Sequence, residues 1–211
     1  MRKTLPINKR DSLLRVRRGD KLQKVLANLG LGSRREVEQW IEEGRLTLDG
    51  EVAQIGDRVK HGQRIRLDGR PVQPLEQSKV RILLYHKPVG EICSRNDPQG
   101  RATVFEHLPR LNSGRWVSVG RLDYKTSGAL LFTTDGALAN ALMHPSKAIE
   151  REYLVRVMGL VDAPMIERLK QGVELEDGVG RFSDIQNGGG EGINRFFYVV
   201  LAQGRNREVR R

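Results

Sequence analysis

Cysteine is almost absent: Cys93 is the single one in 211 residues. No internal disulfide framework is possible, and such usage fits a reducing cytoplasm. Long apolar runs are missing as well, and none approaches the roughly 20 residues that a membrane-spanning helix needs. Basic residues near the start have no apolar stretch behind them, so a secretory signal is not expected. His61, His86, His107 and His144 lack metal-ligand spacing and Cys93 has no second thiol, so no metal is expected. Gly188-Gly189-Gly190 lacks the lysine and helix start of a phosphate loop and reads as a hairpin tip. No internal repeat is present.

Acidic residues are also short in supply. Twenty-six Asp and Glu face 37 Lys and Arg, a net charge of +11 with a pI near 10.2. Such an excess suits a polyanionic partner, because each neutralised phosphate releases counterions. With no membrane segment, cytoplasmic RNA is the expected partner. Seven basic residues and one acidic residue put a net +6 into positions 1–19. With little to bury, residues 1–18 read as a mobile basic tail, either an arm for RNA or a solubilising segment.

Residues 19–70 read as a small basic domain. Leu22, Val25, Leu26 and Leu29 recur at helical spacing before Gly30 and Gly32. Ser33-Arg34-Arg35-Glu36 is a capping-box pattern opening a second helix, with Val37, Trp40 and Ile41 as its apolar face and Gly44 as its end. Leu46 to Val52 predicts a hairpin turning at Asp49-Gly50, and Arg64 to Leu67 a further strand. Pro71 to Ser78, with two prolines, reads as a linker.

Residues 79–211 read as one mixed domain. Val80 to Tyr85 should be a strand ending at the His86-Lys87-Pro88-Val89-Gly90 turn. Strands are expected at 116–119, 129–132, 151–158 and 195–201, the last apolar enough to be central. Helices are expected at 137–143 and after Asp162-Ala163-Pro164, with Asp162 as cap. Strand-rich order with interspersed helices predicts an α+β fold rather than a doubly wound sheet.

Gly120-Arg121-Leu122-Asp123-Tyr124-Lys125-Thr126-Ser127-Gly128 sits between two of those strands. It places the Asp123 carboxylate in a tight turn with Arg121 two residues before it. Taken alone, Asp123 reads more readily as an acidic surface turn. A carboxylate held at a strand end by a rigid scaffold is also well placed for chemistry. The string, continued through Ala129-Leu130-Leu131-Phe132-Thr133-Thr134-Asp135-Gly136, resembles the catalytic motif of the RNA pseudouridine synthases, in the group that modifies ribosomal RNA. Residues 19–70 resemble an S-four-type RNA-binding domain. The segment from Cys93 to Pro109 resembles the large-subunit branch of that group more than the small-subunit branch, which implies 23S ribosomal RNA or a pre-ribosomal particle as partner.

The resemblance implies isomerisation of a uridine to pseudouridine after base flipping, a reaction without redox change or added group and therefore without cofactor. It assigns Asp123 as the catalytic carboxylate, acting as nucleophile or as a base directed at the sugar. Arg151-Glu152-Tyr153-Leu154-Val155 matches the segment whose tyrosine lines the pocket, which gives Tyr153 base stacking and a role near carbon 5. Leu201 to Arg210 matches the last motif, which places Leu201 beside the tyrosine and pairs Arg210 with Asp123. Lys87 belongs to the Lys-Pro-x-Gly turn that helps shape the site and bind substrate. Arg121 would occupy the space left by the flipped base or contact an RNA phosphate. Arg34, Arg35 and Arg45 are candidates for RNA contact, the first two reading equally as a solvated pair. Glu208 stands where many members carry glutamine, and those members continue past the last motif through a further helix and strand. A monomer is expected.

Two other classes compete. A non-catalytic RNA-binding or assembly factor would need neither the turn-held Asp123 nor Tyr153. An RNA-cleaving enzyme would want a histidine pair or carboxylates paired on a metal, and the sequence shows neither pattern.

Overall fold

The computed structural model describes residues 19–60, 62–72 and 79–211. The basic tail at 1–18, His61 and linker residues 73–78 lie outside the described residues. Among the described residues no helix is long and apolar enough to cross a membrane. The chain divides into two units, one holding the described residues up to 83 with 107–117 and 133–136, the other holding 84–106, 118–132 and 137–211.

In the first unit, β1 (Asp20–Lys21) leads into α1 (Leu22–Asn28) and α2 (Arg34–Glu42), followed by β2 (Leu46–Leu48), β3 (Glu51–Val52), β4 (Arg58–Val59), β5 (Ile65–Leu67) and β6 (Arg70–Pro71). Leu22 and Leu26, one helical turn apart, are fully buried with Val37 and Leu46, and Ile41, Ala53 and Ile65 complete the core. Each such aliphatic side chain contributes about 1.5–3 kcal/mol by leaving water. The sheet runs β3-β2-β5-β6.

Local chemistry sets the ends of these elements. Ser33 Oγ accepts the Glu36 N–H at 3.1 Å, and Glu36 Oε2 accepts the Ser33 N–H at 2.6 Å, the reciprocal capping box. At the other end of α2, Gly44 takes φ +69, its N–H reaching Ile41 O while the Arg45 N–H reaches Trp40 O. That left-handed cap satisfies two orphan carbonyls and favours glycine. The β2–β3 turn needs positive φ at Asp49 (52°) and Gly50 (100°), a hairpin geometry that Asp-Gly adopts readily. Asp49 is anchored by the Arg64 N–H at 2.8 Å and the Gln63 side chain at 3.1 Å, which hold its carboxyl below the ordinary range.

The remaining chain contains β7 (Ile82–Lys87), β8 (Val117–Val119), β9 (Gly128–Thr133), α3 (Gly136–Met143), β10 (Arg151–Met158), α4 (Ala163–Gln171), β11 (Val173–Leu175), β12 (Gly178–Gly180), β13 (Asp184–Asn187) and β14 (Asn194–Leu201). One sheet is ordered β7-β9-β8 and another β10-β14-β13, with β14 central as its apolar sequence predicts. Phe132 on β9 is fully buried, with the rings of Tyr85 and Phe105 edge-on at 6.1 and 5.6 Å. Ile185, Phe197 and Val199 form a second core, against which Tyr153, Val155, Ile166 and Leu169 pack. Asp162 caps α4 through the Met165 N–H at 2.8 Å, and Pro164 lies in the first turn.

The structure corrects one strand and adds others. Expected at 80–85, β7 runs instead from Ile82 to Lys87, because burial alternates inward through Leu83, Tyr85 and Lys87. A charged residue thus continues the inward face where a turn was expected. The β11–β12 hairpin and β13 were not anticipated. Helices interspersed among several small sheets, with antiparallel pairing in the β3-β2-β5-β6 and β10-β14-β13 sheets, make the fold α+β.

Candidate active site

Asp123 lies in the loop between β8 and β9, where the Thr126 N–H donates to Asp123 O at 2.9 Å and closes a turn. The segment that follows β7 holds this loop almost wholly by its backbone. Gly90 N–H donates to Tyr124 O at 2.9 Å. Cys93 Sγ bridges both backbone groups of Leu122, accepting from N–H and donating to O at 3.4 Å each. Lys87, fully buried, donates to Pro88 O at 2.9 Å, Asp123 O at 3.1 Å and Thr126 O at 2.8 Å. Burial pushes the Lys87 pKa down, while Cys93, Glu91 and Asp123 nearby act against that shift.

With its backbone fastened, the loop leaves its side chains for other work. Asp123 Oδ2 lies 3.2 Å from Arg210 Nε, and the Asp123 side chain is 31% exposed. Arg210 is itself fixed at its other end, NH2 donating to Lys125 O and Thr126 Oγ1, both at 2.9 Å. A second guanidinium, Arg207, approaches the same oxygen at 3.7 Å. Among the described residues Asp123 Oδ1 has no hydrogen-bond partner, so the arginines lie nearest one carboxylate oxygen and leave hydrogen-bonding capacity on the other.

The last motif is secured from outside the site. Arg151 on β10 donates to Ala202 O at 3.1 Å and to Gln203 O. Arg205 donates to Asp177 O in the β11–β12 turn, and Arg211 makes two bonds to the Asp177 carboxylate at 2.7 and 3.2 Å. The Arg211 guanidinium holds the Asp177 carboxyl below the ordinary range. Glu208 Oε2 accepts the Arg205 N–H at 3.0 Å, a purpose within the loop itself. The segment from 202 to 211 is thus tied at both ends, and Arg210 projects from it onto Asp123.

The other expected site residues fall into three groups. Tyr153 is half-buried on β10, directly opposite Val199 of β14, and its hydroxyl has no hydrogen-bond partner among the described residues. Leu201, buried, pairs with Arg151 and so lies two residues along the strand from Tyr153's partner. Arg121 is exposed and without an ion-pair partner among the described residues. Arg34 and Arg35 are likewise exposed, with no hydrogen-bond or ion-pair partner among the described residues.

Two of the expected residues are engaged within the protein itself. Lys87 cannot meet a substrate in this arrangement, since its ammonium is buried and all three N–H groups are used on backbone oxygens. Arg45 is already neutralised: its guanidinium forks onto Asp68 at 2.8 and 2.7 Å, reaches Glu43 at 3.2 Å and lies over the Trp40 ring at 5.6 Å. These contacts fasten the end of α2. Sequence reading also misses Cys93 and Arg207 as neighbours of the Asp123 turn. Cys93 carries no sequence signal, whereas Arg207 lies inside the last motif, three residues before the arginine assigned to Asp123.

The model of the RNA pseudouridylate synthase family matches residues 81–211, and that of the S4 domain matches residues 20–65. The chain is 58% identical over 197 residues to a ribosomal large subunit pseudouridine synthase B of Pasteurella multocida, covering 92% of this chain and 57% of that protein. It is also 58% identical over 196 residues to the protein of that name from Pseudomonas aeruginosa, covering 92% and 51%. The Escherichia coli K12 protein of the same name is 56% identical over 196 residues, covering 91% and 67%. The chain therefore spans between about half and two thirds of the length of these relatives. A solved pseudouridylate synthase shares the fold, with a TM-score of 0.58 at 21% identity over 90% of this chain and 80% of that one. The chain belongs to the RNA pseudouridylate synthase family, with an S4 domain ahead of the region that carries Asp123.

Proposed function

We propose that this protein isomerises a uridine of 23S ribosomal RNA to pseudouridine, with Asp123 as the catalytic carboxylate. The reaction detaches the base from carbon 1 of the ribose, turns it, and rejoins it through carbon 5, so the carbon 5 hydrogen must leave. What carries the reading is a carboxylate fastened through its backbone, steadied on one oxygen by Arg210 at 3.2 Å, with hydrogen-bonding capacity left on the other. A nucleophile or a base directed at the sugar needs that combination of order and access.

The remaining roles follow from position. The uridine must leave its stack, which costs least in loops and bulges. Arg121, exposed beside Asp123, fills the space of the flipped base or holds a flanking phosphate. Tyr153 stacks on the uracil and serves at carbon 5, with Leu201 beside it. Residues 19–70 hold the RNA, with Arg34 and Arg35 on phosphates, and residues 79–211 carry the chemistry. Lys87 acts on the substrate only through the loop that it supports.

The large-subunit assignment rests on the relatives' names together with the 93–109 segment. The test is release of tritium from 23S rRNA transcripts labelled at uridine carbon 5, with the modified position mapped afterwards. Release from one position supports the reading. Tight RNA binding without release would make the protein a binding factor instead.

A further inference from the structure

We propose that Arg207 binds an RNA phosphodiester flanking the uridine, and swings from Asp123 onto that phosphate when substrate arrives. The inference rests on the reading of the chain as an RNA pseudouridine synthase and adds a substrate-binding residue to it.

The two arginines beside Asp123 are not equivalent. Arg210 is committed, with Nε at 3.2 Å from the carboxylate and NH2 bonded to both Lys125 O and Thr126 Oγ1. Arg207 has one contact, NH1 at 3.7 Å from Asp123 Oδ2, longer than a directed charge-assisted bond. Its side chain is 55% exposed, and among the described residues its guanidinium has no hydrogen-bond partner. A planar fork of five donors left free at the rim of a site suits a phosphate.

The backbone beneath it is unusual as well. Arg207 takes φ +52, a left-handed conformation that costs an arginine energy and that glycine or asparagine would hold more easily. The conformation is retained by the turn that follows, in which Arg207 O accepts the Arg210 N–H at 2.8 Å and the Arg211 N–H at 3.1 Å. The motif thus places a long cation at a position where the backbone alone would favour a small residue.

Electrostatics supply the reason. A nucleotide bound with its sugar at Asp123 brings its flanking phosphates toward an anionic carboxylate, and like charges repel. Arg210 cannot turn to the phosphate without releasing the Asp123 loop. Arg207 can, since leaving Asp123 breaks only a loose pair.

The test uses the full chain as wild type, Arg207→Asn and Arg207→Lys, with unmodified 23S rRNA transcript as the probe. Asparagine accepts the left-handed backbone, so a folding defect does not confuse the result, and thermal melts confirm it. Binding is measured over a KCl series, and single-turnover pseudouridine formation is measured at saturating RNA. The expectation for Arg207→Asn is about tenfold weaker binding, with a log–log salt slope shallower by about 0.7–0.9, the loss of one phosphate contact. Arg207→Lys, which keeps the charge, should restore both the affinity and the slope. An unchanged slope overturns the proposal. So does a saturated rate that falls a hundredfold at unchanged affinity, because Arg207 would then serve Asp123 rather than RNA. Wild-type protein that binds but forms no pseudouridine defeats the catalytic reading alone, and the salt slopes still decide the phosphate contact.

Discussion

Lys87 binds the backbone of Asp123, not its carboxylate. Its ammonium lies 3.1 Å from the Asp123 carbonyl oxygen and also holds Pro88 O and Thr126 O, while the carboxylate belongs to Arg210. The two cations therefore divide the work. The buried one builds the turn, and the half-exposed one orients the group the turn presents. Removing either should disturb Asp123, but with different signatures.

Lys87→Met should destabilise the protein by about 3 kcal/mol, because three carbonyl oxygens around a buried site lose their donor at once. Lys87→Arg should not rescue it, since a planar fork cannot meet three oxygens arranged around one ammonium. Urea denaturation reads the effect. A methionine variant with an unchanged midpoint would mean that the loop holds itself.

Asp123→Asn keeps the shape and every backbone contact of the turn but removes the charge. Pseudouridine formation should fall about a thousandfold or more, with melting temperature and RNA affinity nearly unaltered. Tritium release from labelled transcripts measures the rate. Near-normal turnover would move the chemistry away from Asp123.

Tyr85 offers a pH test of the site's support. Its hydroxyl donates to Glu91 Oε2 at 2.8 Å, and burial, followed by that hydrogen bond and the Glu91 charge, pushes its pKa up to about 12 from 10.0. The folded state therefore keeps its proton longer than the unfolded chain. This contribution is fully present below pH 10 and is lost as pH rises toward 12. Stability curves between those limits should fall less steeply for Tyr85→Phe. Identical slopes for the two proteins would rule the phenol out as their source.

Much of this architecture is legible in the sequence because local rules and global fold agree. Ser33 and Glu36 mark the start of α2 and Asp162 with Pro164 the start of α4 through bonds to neighbours in the chain, and Asp49-Gly50 marks the hairpin through its positive φ. β13 is less visible: Asp184, Gln186 and Asn187 are poor strand formers, and Ile185 alone buries a large apolar side chain there. Distance in sequence hides the rest. Nothing near Arg45 announces Asp68, 23 residues later, and nothing near Lys87 announces the carbonyls of the 123–126 turn. Charge is legible in a sequence, but its partners are a property of the fold.

Tyr153→Phe separates stacking from hydroxyl chemistry. The ring packs against the Ile185, Phe197 and Val199 core, so the variant should fold and bind RNA nearly as wild type. The hydroxyl is unpartnered among the described residues, and if it serves at carbon 5, losing it should slow single turnover by about a hundredfold. A variant as fast as wild type would reduce Tyr153 to packing.

The different surroundings of the first unit's arginines make opposite predictions. Arg34 and Arg35 have no ion-pair partner among the described residues, whereas Arg45 is shared between Asp68 and Glu43. If the first two meet phosphates, Arg34→Ala with Arg35→Ala should weaken rRNA binding and flatten its log–log salt slope by about 1.4–1.8, with little change in melting temperature. Arg45→Ala should do the reverse, lowering the melting temperature while leaving the slope nearly intact, because a guanidinium already neutralised by carboxylates releases no further counterions. Parallel salt series and thermal melts on the two variants check both halves. An Arg45 variant that flattens the slope as strongly as the double variant would mean that the Asp68 fork opens for RNA, whereas a double variant with an unchanged slope would make Arg34 and Arg35 solvated bystanders.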